Sequence, residues 1–207
     1  MEFRRDISFE LEQRLREPRS FIQIVLGPRQ TGKTTAIRQA LKETGLPAHV
    51  FSADAPQAIS PEQLEVEWMQ ARALAQQGPA ILFIDEIQKA SGWSETVKRL
   101  WDEDSWDELD LKVVLSGSSS LLLSAGVSES LMGRHEIIRS THWDLSEMSR
   151  AFGYALDDYL MFGGYPGAAR LKDNAKRWKD YMRDSIIEAT ISKDILQMER
   201  VRKPALM

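Results

Sequence analysis

The sequence contains no cysteine, so disulfide bonds, thiolate zinc sites and cysteine nucleophiles are all excluded. Its three histidines, His49, His135 and His142, are too scattered to indicate a metal site. Neither charge dominates, because 27 basic and 31 acidic residues give a formal net charge of −4. The composition therefore offers no general case for nucleic-acid binding, and it leaves open whether the partner is a nucleic acid or a protein client.

Long apolar segments are also missing. The longest nearly apolar run covers residues 80–84, far short of the roughly 20 residues that cross a bilayer. The N-terminus carries charged residues where a secretory signal needs an apolar stretch. We therefore expect a cytoplasmic protein with no membrane contact.

The 207 residues, 43% of them hydrophobic, are enough for one α/β domain and a small appendage. Strand-like apolar runs alternate with helix-like segments, which is typical of a parallel sheet covered by helices on both faces. The predicted strands are 21–26, 48–52, 80–84, 112–115 and 135–138, and the predicted helices between them include 33–44, 61–77 and 92–104. From about residue 145 only helix-like segments follow, at 156–160, 166–171 and 177–197. We expect a three-layer core over residues 1–144 and a small helical lid over 145–207.

A glycine-rich segment follows the first predicted strand. Residues 27–34, Gly-Pro-Arg-Gln-Thr-Gly-Lys-Thr, match G-x-x-x-x-G-K-[ST] at every fixed position. Glycines let successive N–H groups point at phosphate oxygens, and the N-terminus of the next helix adds its dipole. Lys33 is predicted to reach the β and γ phosphates of ATP, and Thr34 to ligate Mg²⁺. The predicted nucleotide-binding residues are Gly27, Pro28, Arg29, Gln30, Thr31, Gly32, Lys33, Thr34 and Thr35. The alternative is an ordinary glycine turn with a helix-capping threonine.

Two acidic residues follow the third predicted strand. Asp85 comes directly after four apolar residues, at the carboxyl end of a buried strand, where a Mg²⁺ carboxylate belongs. Glu86 is placed to orient and deprotonate an attacking water. The pair favours hydrolysis over phosphoryl transfer to a bound acceptor. The serines after the fourth strand offer a side chain to the γ-phosphate or the water, and Ser118 is our choice; the alternative is that they cap a helix that starts near residue 121.

Several stretches together resemble one family. GPRQTGKTT, FIDEIQK, LSGSSSLLL, ESLMGR and FGGYPGAARL look like the prokaryotic AAA-type ATPases that carry an AAA_14 domain followed by a DUF4143 domain. The resemblance covers roughly residues 4–201 and implies a P-loop NTPase core in which the strand bearing Gly117 lies between those leading to Gly27 and Asp85. It also implies Ser118 as a sensor and Arg134 as a candidate arginine finger, in cis or, within a homo-oligomer, in trans. Alternatively, Arg134 is a surface residue or pairs with Glu129.

The function predicted from these motifs is Mg²⁺-dependent ATP binding and hydrolysis, coupled to a conformational change of an unknown effector. One alternative is a non-catalytic ATP-binding switch, and another is a nucleic-acid-associated regulatory ATPase. A P-loop kinase is less favoured, because the predicted lid is not rich in arginine. Family members continue into further domains, so we expect the effector part to lie outside this chain.

Overall fold

The structure, a computed structural model, describes residues 3–118 and 130–188. The strands are β1 (Ile22–Leu26), β2 (Ala48–Ser52), β3 (Ala80–Asp85), β4 (Leu111–Gly117) and β5 (His135–Arg139). The α-helices are α1 (Asp6–Arg16), α2 (Lys33–Thr44), α3 (Pro61–Ala75), α4 (Trp93–Trp106), α5 (Leu145–Phe152), α6 (Leu156–Phe162) and α7 (Ala175–Tyr181). Short 3₁₀ turns cover Ile87–Lys89 and Pro166–Leu171, and a π-helical segment covers Met182–Ile187.

The five strands form one parallel sheet in the order β2-β3-β4-β1-β5. In the register of the central pair, Gln23 of β1 lies opposite Val114 of β4. The strand that ends at Gly117 therefore lies between β1 and β3, as the resemblance implied, and this prediction is confirmed. Because all strands are parallel, the loops after β1, β3 and β4 emerge at the same edge of the sheet.

Side chains of each central strand alternate between two cores. Along β3, Leu82 and Ile84 pack against α3 and α4, whereas Ile81 and Phe83 pack against α1 and α2. All four are fully buried, which explains why the strand is a continuous apolar run in the sequence. The predicted three-layer α/β class is confirmed.

A buried carboxylate joins the two helices of one layer. Asp104 of α4 is 1% exposed and accepts a hydrogen bond of 2.8 Å from Trp68 Nε1 of α3. Its other oxygen accepts one of 2.5 Å from Arg72 Nε, also of α3. The start of α3 is fixed by a reciprocal cap between Ser60 and Gln63. Polar contacts therefore hold α3 and α4 together in addition to apolar packing.

Helix α1 was not predicted from the sequence. Its buried positions are Ser8, Leu11 and Leu15, spaced three and four residues apart among charged residues. Helix α5 was also missed; it begins with a reciprocal cap between Asp144 and Glu147.

The chain divides into two compact units. The core unit, Glu2–Gly27 with Lys33–Ser140, of which the structure describes residues 3–27, 33–118 and 130–140, contains the sheet and α1 to α4. The helical unit joins Pro28–Gly32 to Thr141–Met207, of which the structure describes residues up to 188. The predicted division after residue 144 stays a prediction. Of the predicted helix 177–197, the described part is α7 followed by the π-helical segment. No helix in the described ranges is both long enough and apolar enough to cross a membrane.

Candidate functional site

The loop between β1 and α2 begins at a position that only glycine can occupy. A β-carbon on Gly27 would lie 2.0 Å from the carbonyl oxygen of Ser140. The N–H of Ser140 also donates to Leu26 O at 2.6 Å, so the backbone after β5 fixes the end of β1. Farther along, Gln30 (φ 61°) and Gly32 (φ 82°) adopt left-handed conformations that turn the chain into α2. The predicted residues Pro28, Arg29, Gln30, Thr31 and Gly32 all lie in this loop, and Thr35 lies exposed in the first turn of α2.

Lys33, the first residue of α2, is a buried lysine. Its side chain is 6% exposed, and Nζ donates to the carbonyl oxygen of Gly27 at 2.9 Å. An ammonium group this buried needs hydrogen-bond acceptors around it. Together with the positive end of α2, it makes this edge of the sheet suitable for an anion.

Asp85, the last residue of β3, is held by three hydrogen bonds. Oδ2 accepts from the Thr34 hydroxyl at 2.8 Å. Oδ1 accepts from the Ser116 hydroxyl and, at 3.1 Å, from the N–H of Glu86. The first turn of α2, the end of β3 and the end of β4 thus meet at one carboxylate. Ser116 was not among the predicted site residues, although a small polar residue at the end of the strand beside β3 was an available signal.

Glu86 has an unusual backbone conformation. With φ 54° and ψ 41° it lies in the left-handed region, which is unfavourable for a residue with a β-carbon and is found preferentially at functional sites. Its Oε2 accepts a hydrogen bond of 2.5 Å from Gln88 Nε2, within the 3₁₀ turn that follows β3.

Ser118 follows β4 directly and is 4% exposed. Within the described ranges, no hydrogen-bond partner of its hydroxyl is found. A buried hydroxyl is normally hydrogen-bonded, so this position is suited to a partner that a ligand, a water molecule or a residue outside the described ranges supplies. Ser119, Ser120 and the helix predicted from residue 121 lie outside the described residues.

Arg134 lies at the amino ends of the strands, whereas the loop follows the carboxyl end of β1. Its carbonyl oxygen accepts from the N–H of Ile22, at the start of β1, whereas Gly27 follows the end of that strand. A five-residue strand is about 16 Å long, so Arg134 is far from the loop of its own chain. Its guanidinium binds Asp102 with two hydrogen bonds, Nε–Oδ1 at 2.7 Å and Nη2–Oδ2 at 3.0 Å. These bonds raise the pKa of Arg134 above its ordinary value. The alternative partner, Glu129, is outside the described residues.

The predicted site residues therefore fall into two groups. One group lies at the carboxyl ends of the strands and consists of Lys33, Thr34, Asp85 and Ser118. Arg134 lies at the amino ends. A threonine hydroxyl beside a carboxylate is a suitable set of oxygen donors for Mg²⁺. The buried ammonium and the glycine-constrained loop suit the phosphates of a nucleotide. The residues present thus fit a magnesium nucleotide.

Solved structures with the same fold include two variants of Thermotoga maritima RuvB. They superpose with TM-scores of 0.54 and 0.53, at 19% and 20% sequence identity. In both cases the match covers 86% of this chain and 60% of the RuvB chain. The fold, the strand order and the loop after β1 together define a P-loop NTPase.

A family model narrows this class. Residues 19–149 match the AAA_14 model, described as an AAA domain. The chain therefore belongs to the AAA_14 family, and the resemblance inferred from its motifs is confirmed. Residues 153–207 match DUF8612, a domain of unknown function, within the part of the chain that we predicted to be a helical lid.

Curated relatives of the chain are uncharacterized proteins. One from Methanocaldococcus jannaschii is 23% identical over an alignment 201 positions long, which covers 87% of this chain and 43% of that protein. Relatives from Mycobacterium bovis and Mycobacterium tuberculosis are each 28% identical over 204 residues, or 98% of this chain and 42% of theirs. The chain thus spans less than half the length of these relatives.

Proposed function

We propose that this chain binds ATP with Mg²⁺ and hydrolyses it. The observation that carries the proposal is the contact of 2.8 Å between Thr34 and Asp85 beside the buried Lys33. In this arrangement the positive side chain of Lys33 and the negative side chain of Asp85 both contact the segment that begins at Gly27 and continues into α2. Such a pairing suits a substrate whose phosphates carry negative charge and bring a divalent cation with them.

The roles follow from the chemistry of each group. Backbone N–H groups of the loop and the Lys33 ammonium hold the β and γ phosphates, and Thr34 and Asp85 hold the cation. When bound, Mg²⁺ neutralises charge that develops on the phosphates. Ser118, whose buried hydroxyl lacks a partner within the described ranges, donates to the γ-phosphate or to the attacking water.

Glu86 is the proposed general base. A water molecule attacks the γ phosphorus, and the bond between that phosphorus and the oxygen bridging it to the β phosphorus breaks. The products are ADP and inorganic phosphate, and the Glu86 carboxylate accepts the proton that the water loses. The left-handed backbone at Glu86 supports this assignment, because residues held in such conformations are found preferentially at functional sites.

Two variants separate binding from turnover. Lys33→Ala should weaken ATP binding by about a hundredfold or more, because a buried charged partner of the phosphates is lost. Glu86→Gln should bind ATP as the wild type does and hydrolyse it about 10²–10⁴-fold more slowly. Lys42→Ala, at an exposed position of the same helix, is the matched control. Calorimetric titration measures the affinity for ATP, and phosphate release measures the rate of hydrolysis. Turnover at the wild-type rate in Lys33→Ala would refute the proposal. The same result in Glu86→Gln would show that Glu86 is not the base.

We further propose that Arg134 completes the site of a neighbouring subunit. Its position at the amino ends of the strands, far from the loop of its own chain, supports action in trans. The guanidinium would then exchange Asp102, its partner in this structure, for a phosphate of the neighbouring site. ATP turnover per molecule should then rise with protein concentration, and Arg134→Ala should abolish that rise. Arg99→Ala serves as control, because it removes another ion-paired arginine, in α4. Turnover independent of concentration in the wild type would contradict action in trans.

The same proposal includes coupling to a conformational change of an effector. Since the relatives are more than twice as long, the effector is proposed to lie in the part that this chain does not span. The coupling predicts that ATP alters amide hydrogen exchange within residues 141–188 of Glu86→Gln. Identical exchange with and without ATP would argue against it.

A further inference from the structure

The glycine-rich segment 163–167, Gly-Gly-Tyr-Pro-Gly, shapes the helical unit around a tryptophan. A β-carbon on Gly164 would lie 2.0 Å from the carbonyl oxygen of Trp143, so a larger residue cannot occupy this position. The N–H of Trp143 donates to Gly164 O at 3.1 Å, and the Tyr159 hydroxyl donates to Trp143 O at 3.0 Å. Gly164 therefore allows the close backbone approach that fixes Trp143.

The fixed tryptophan reaches the loop that follows β1. Its indole Nε1 donates to the carbonyl oxygen of Thr31 at 2.9 Å. Thr31 is fully buried and Trp143 is 8% exposed, so water has little access to this hydrogen bond. Replacing the indole N–H with a carbon removes a donor from a buried backbone acceptor, which costs more than the loss of an exposed hydrogen bond.

A second side chain of the helical unit contacts the same loop. The Tyr181 hydroxyl donates to Gln30 Oε1 at 3.2 Å, and Gln30 Nε2 donates to Ser185 O at 2.7 Å. Both ends of this amide are therefore held, at a residue whose left-handed backbone is unfavourable for any residue other than glycine. Ser185 belongs to the π-helical segment Met182–Ile187, a rare conformation that is frequent at functional sites.

Gly167 leaves the space that the Tyr181 hydroxyl needs. A β-carbon at this position would lie 2.5 Å from that hydroxyl and 3.4 Å from the ring carbon that bears it. The first distance is a clash and the second is nearly an ordinary contact. An alanine at Gly167 therefore conflicts with the tyrosine oxygen and hardly at all with the ring.

We propose that Trp143 and Tyr181 are positioning residues for the phosphate loop, and that segment 163–167 places both of them. They act through Thr31 and Gln30, the loop residues that they contact. This inference rests on the proposed function in so far as the loop receives ATP, but the conformation of the loop can be measured without any nucleotide.

The test compares Trp143→Phe, Tyr181→Phe, Gly167→Ala and the double variant Gly167→Ala/Tyr181→Phe with the wild type. Two readouts are taken from each protein: calorimetric affinity for ATP with Mg²⁺, and amide hydrogen exchange of residues 28–32 without nucleotide. Trp178→Phe and Tyr154→Phe are matched controls. The structure finds no hydrogen-bond partner for Trp178 Nε1 or the Tyr154 hydroxyl within the described ranges, and both lie in the same unit.

Trp143→Phe should weaken ATP binding by about tenfold and speed exchange in the loop. Tyr181→Phe, which removes a longer and more exposed hydrogen bond, should weaken it by about two- to threefold. Gly167→Ala should weaken binding at least as much as Tyr181→Phe in the wild-type background. In the Tyr181→Phe background it should add little, because the atom with which it clashes is gone. The two controls should match the wild type in both readouts.

Three other outcomes are decisive. If the wild type binds ATP while Trp143→Phe and Gly167→Ala match it in affinity and loop exchange, the inference is overturned. If Gly167→Ala does equal harm in both backgrounds, the role of the Tyr181 hydroxyl is overturned. If the wild type binds no ATP but the variants speed loop exchange as expected, the positioning role stands and the proposed function fails.

Discussion

Removal of the Ser116 hydroxyl should weaken the binding of Mg²⁺, because this hydroxyl holds the Asp85 carboxylate. Ser116 is fully buried in β4 and donates to Asp85 Oδ1, while Thr34 donates to Oδ2 at 2.8 Å. In Ser116→Ala, the contact of Oδ1 with the N–H of Glu86 at 3.1 Å remains. A hydrogen bond to a charged group contributes about 1.5–3 kcal/mol, which corresponds to roughly 10- to 100-fold in an equilibrium constant.

We expect the effect to be near the lower limit, because two other hydrogen bonds still orient Asp85. The Mg²⁺ concentration that gives half-maximal ATP hydrolysis should therefore rise about tenfold in Ser116→Ala. Phosphate release at saturating ATP, measured across a Mg²⁺ series, gives this midpoint. Ser116→Thr keeps the hydroxyl and should restore most of the affinity.

Ser118→Ala is the matched comparison. Among the described residues its hydroxyl contacts no partner, and Asp85 is held without it, so Ser118→Ala should leave the Mg²⁺ midpoint unchanged. Because Ser118 is proposed to bond the γ-phosphate or the attacking water, the same variant should lower the maximal rate. An unaltered midpoint in folded Ser116→Ala would refute the argument that Ser116 orients the metal carboxylate. A shifted midpoint in Ser118→Ala would exchange the roles of the two serines.

Two further substitutions test the loop and the core. Gly27→Ala places a methyl group 2.0 Å from Ser140 O, so the loop or the chain after β5 must move; we expect lost ATP binding and a melting midpoint several degrees lower. Wild-type affinity in this variant would contradict the close approach. Asp104→Ala leaves the N–H of Trp68 buried without its acceptor and removes one of the two carboxylates that bind Arg72, since Glu103 remains; it should cost about 2–3 kcal/mol in urea unfolding. A loss below about 1 kcal/mol would show that α3 and α4 are held by apolar packing alone.

The central strands and the phosphate loop could be predicted from the sequence because their signals are local. The apolar run of β3 needs no partner to be recognised, and the spacing of Gly27, Lys33 and Thr34 is fixed by the chemistry of one loop. Helix α1 could not be found in the same way, since its buried residues are few and its remaining positions are charged. Its burial depends on α2, which lies elsewhere in the chain.

The polar contacts of the site depend on the fold as a whole. Ser116 and Ser118 differ by two residues, and only the pairing of β4 with β3 decides which hydroxyl contacts Asp85. Trp143 is separated from Thr31 by 112 residues, so no local pattern links the indole to the loop. Sequence motifs can identify the groups that take part in chemistry, but the side chains that hold those groups in place require the tertiary structure.

The separation of Arg134 from the phosphate loop has a consequence for symmetry. If the surface around Arg134 of one subunit meets the surface around the phosphate loop of the next, the two contacting surfaces are different. Such an interface is of the head-to-tail kind. Repeating such a contact gives a ring when the rotation closes and a filament when it does not. In a closed ring every site is shared by two neighbours. A subunit without Arg134 would then silence the site beside it and leave its own intact.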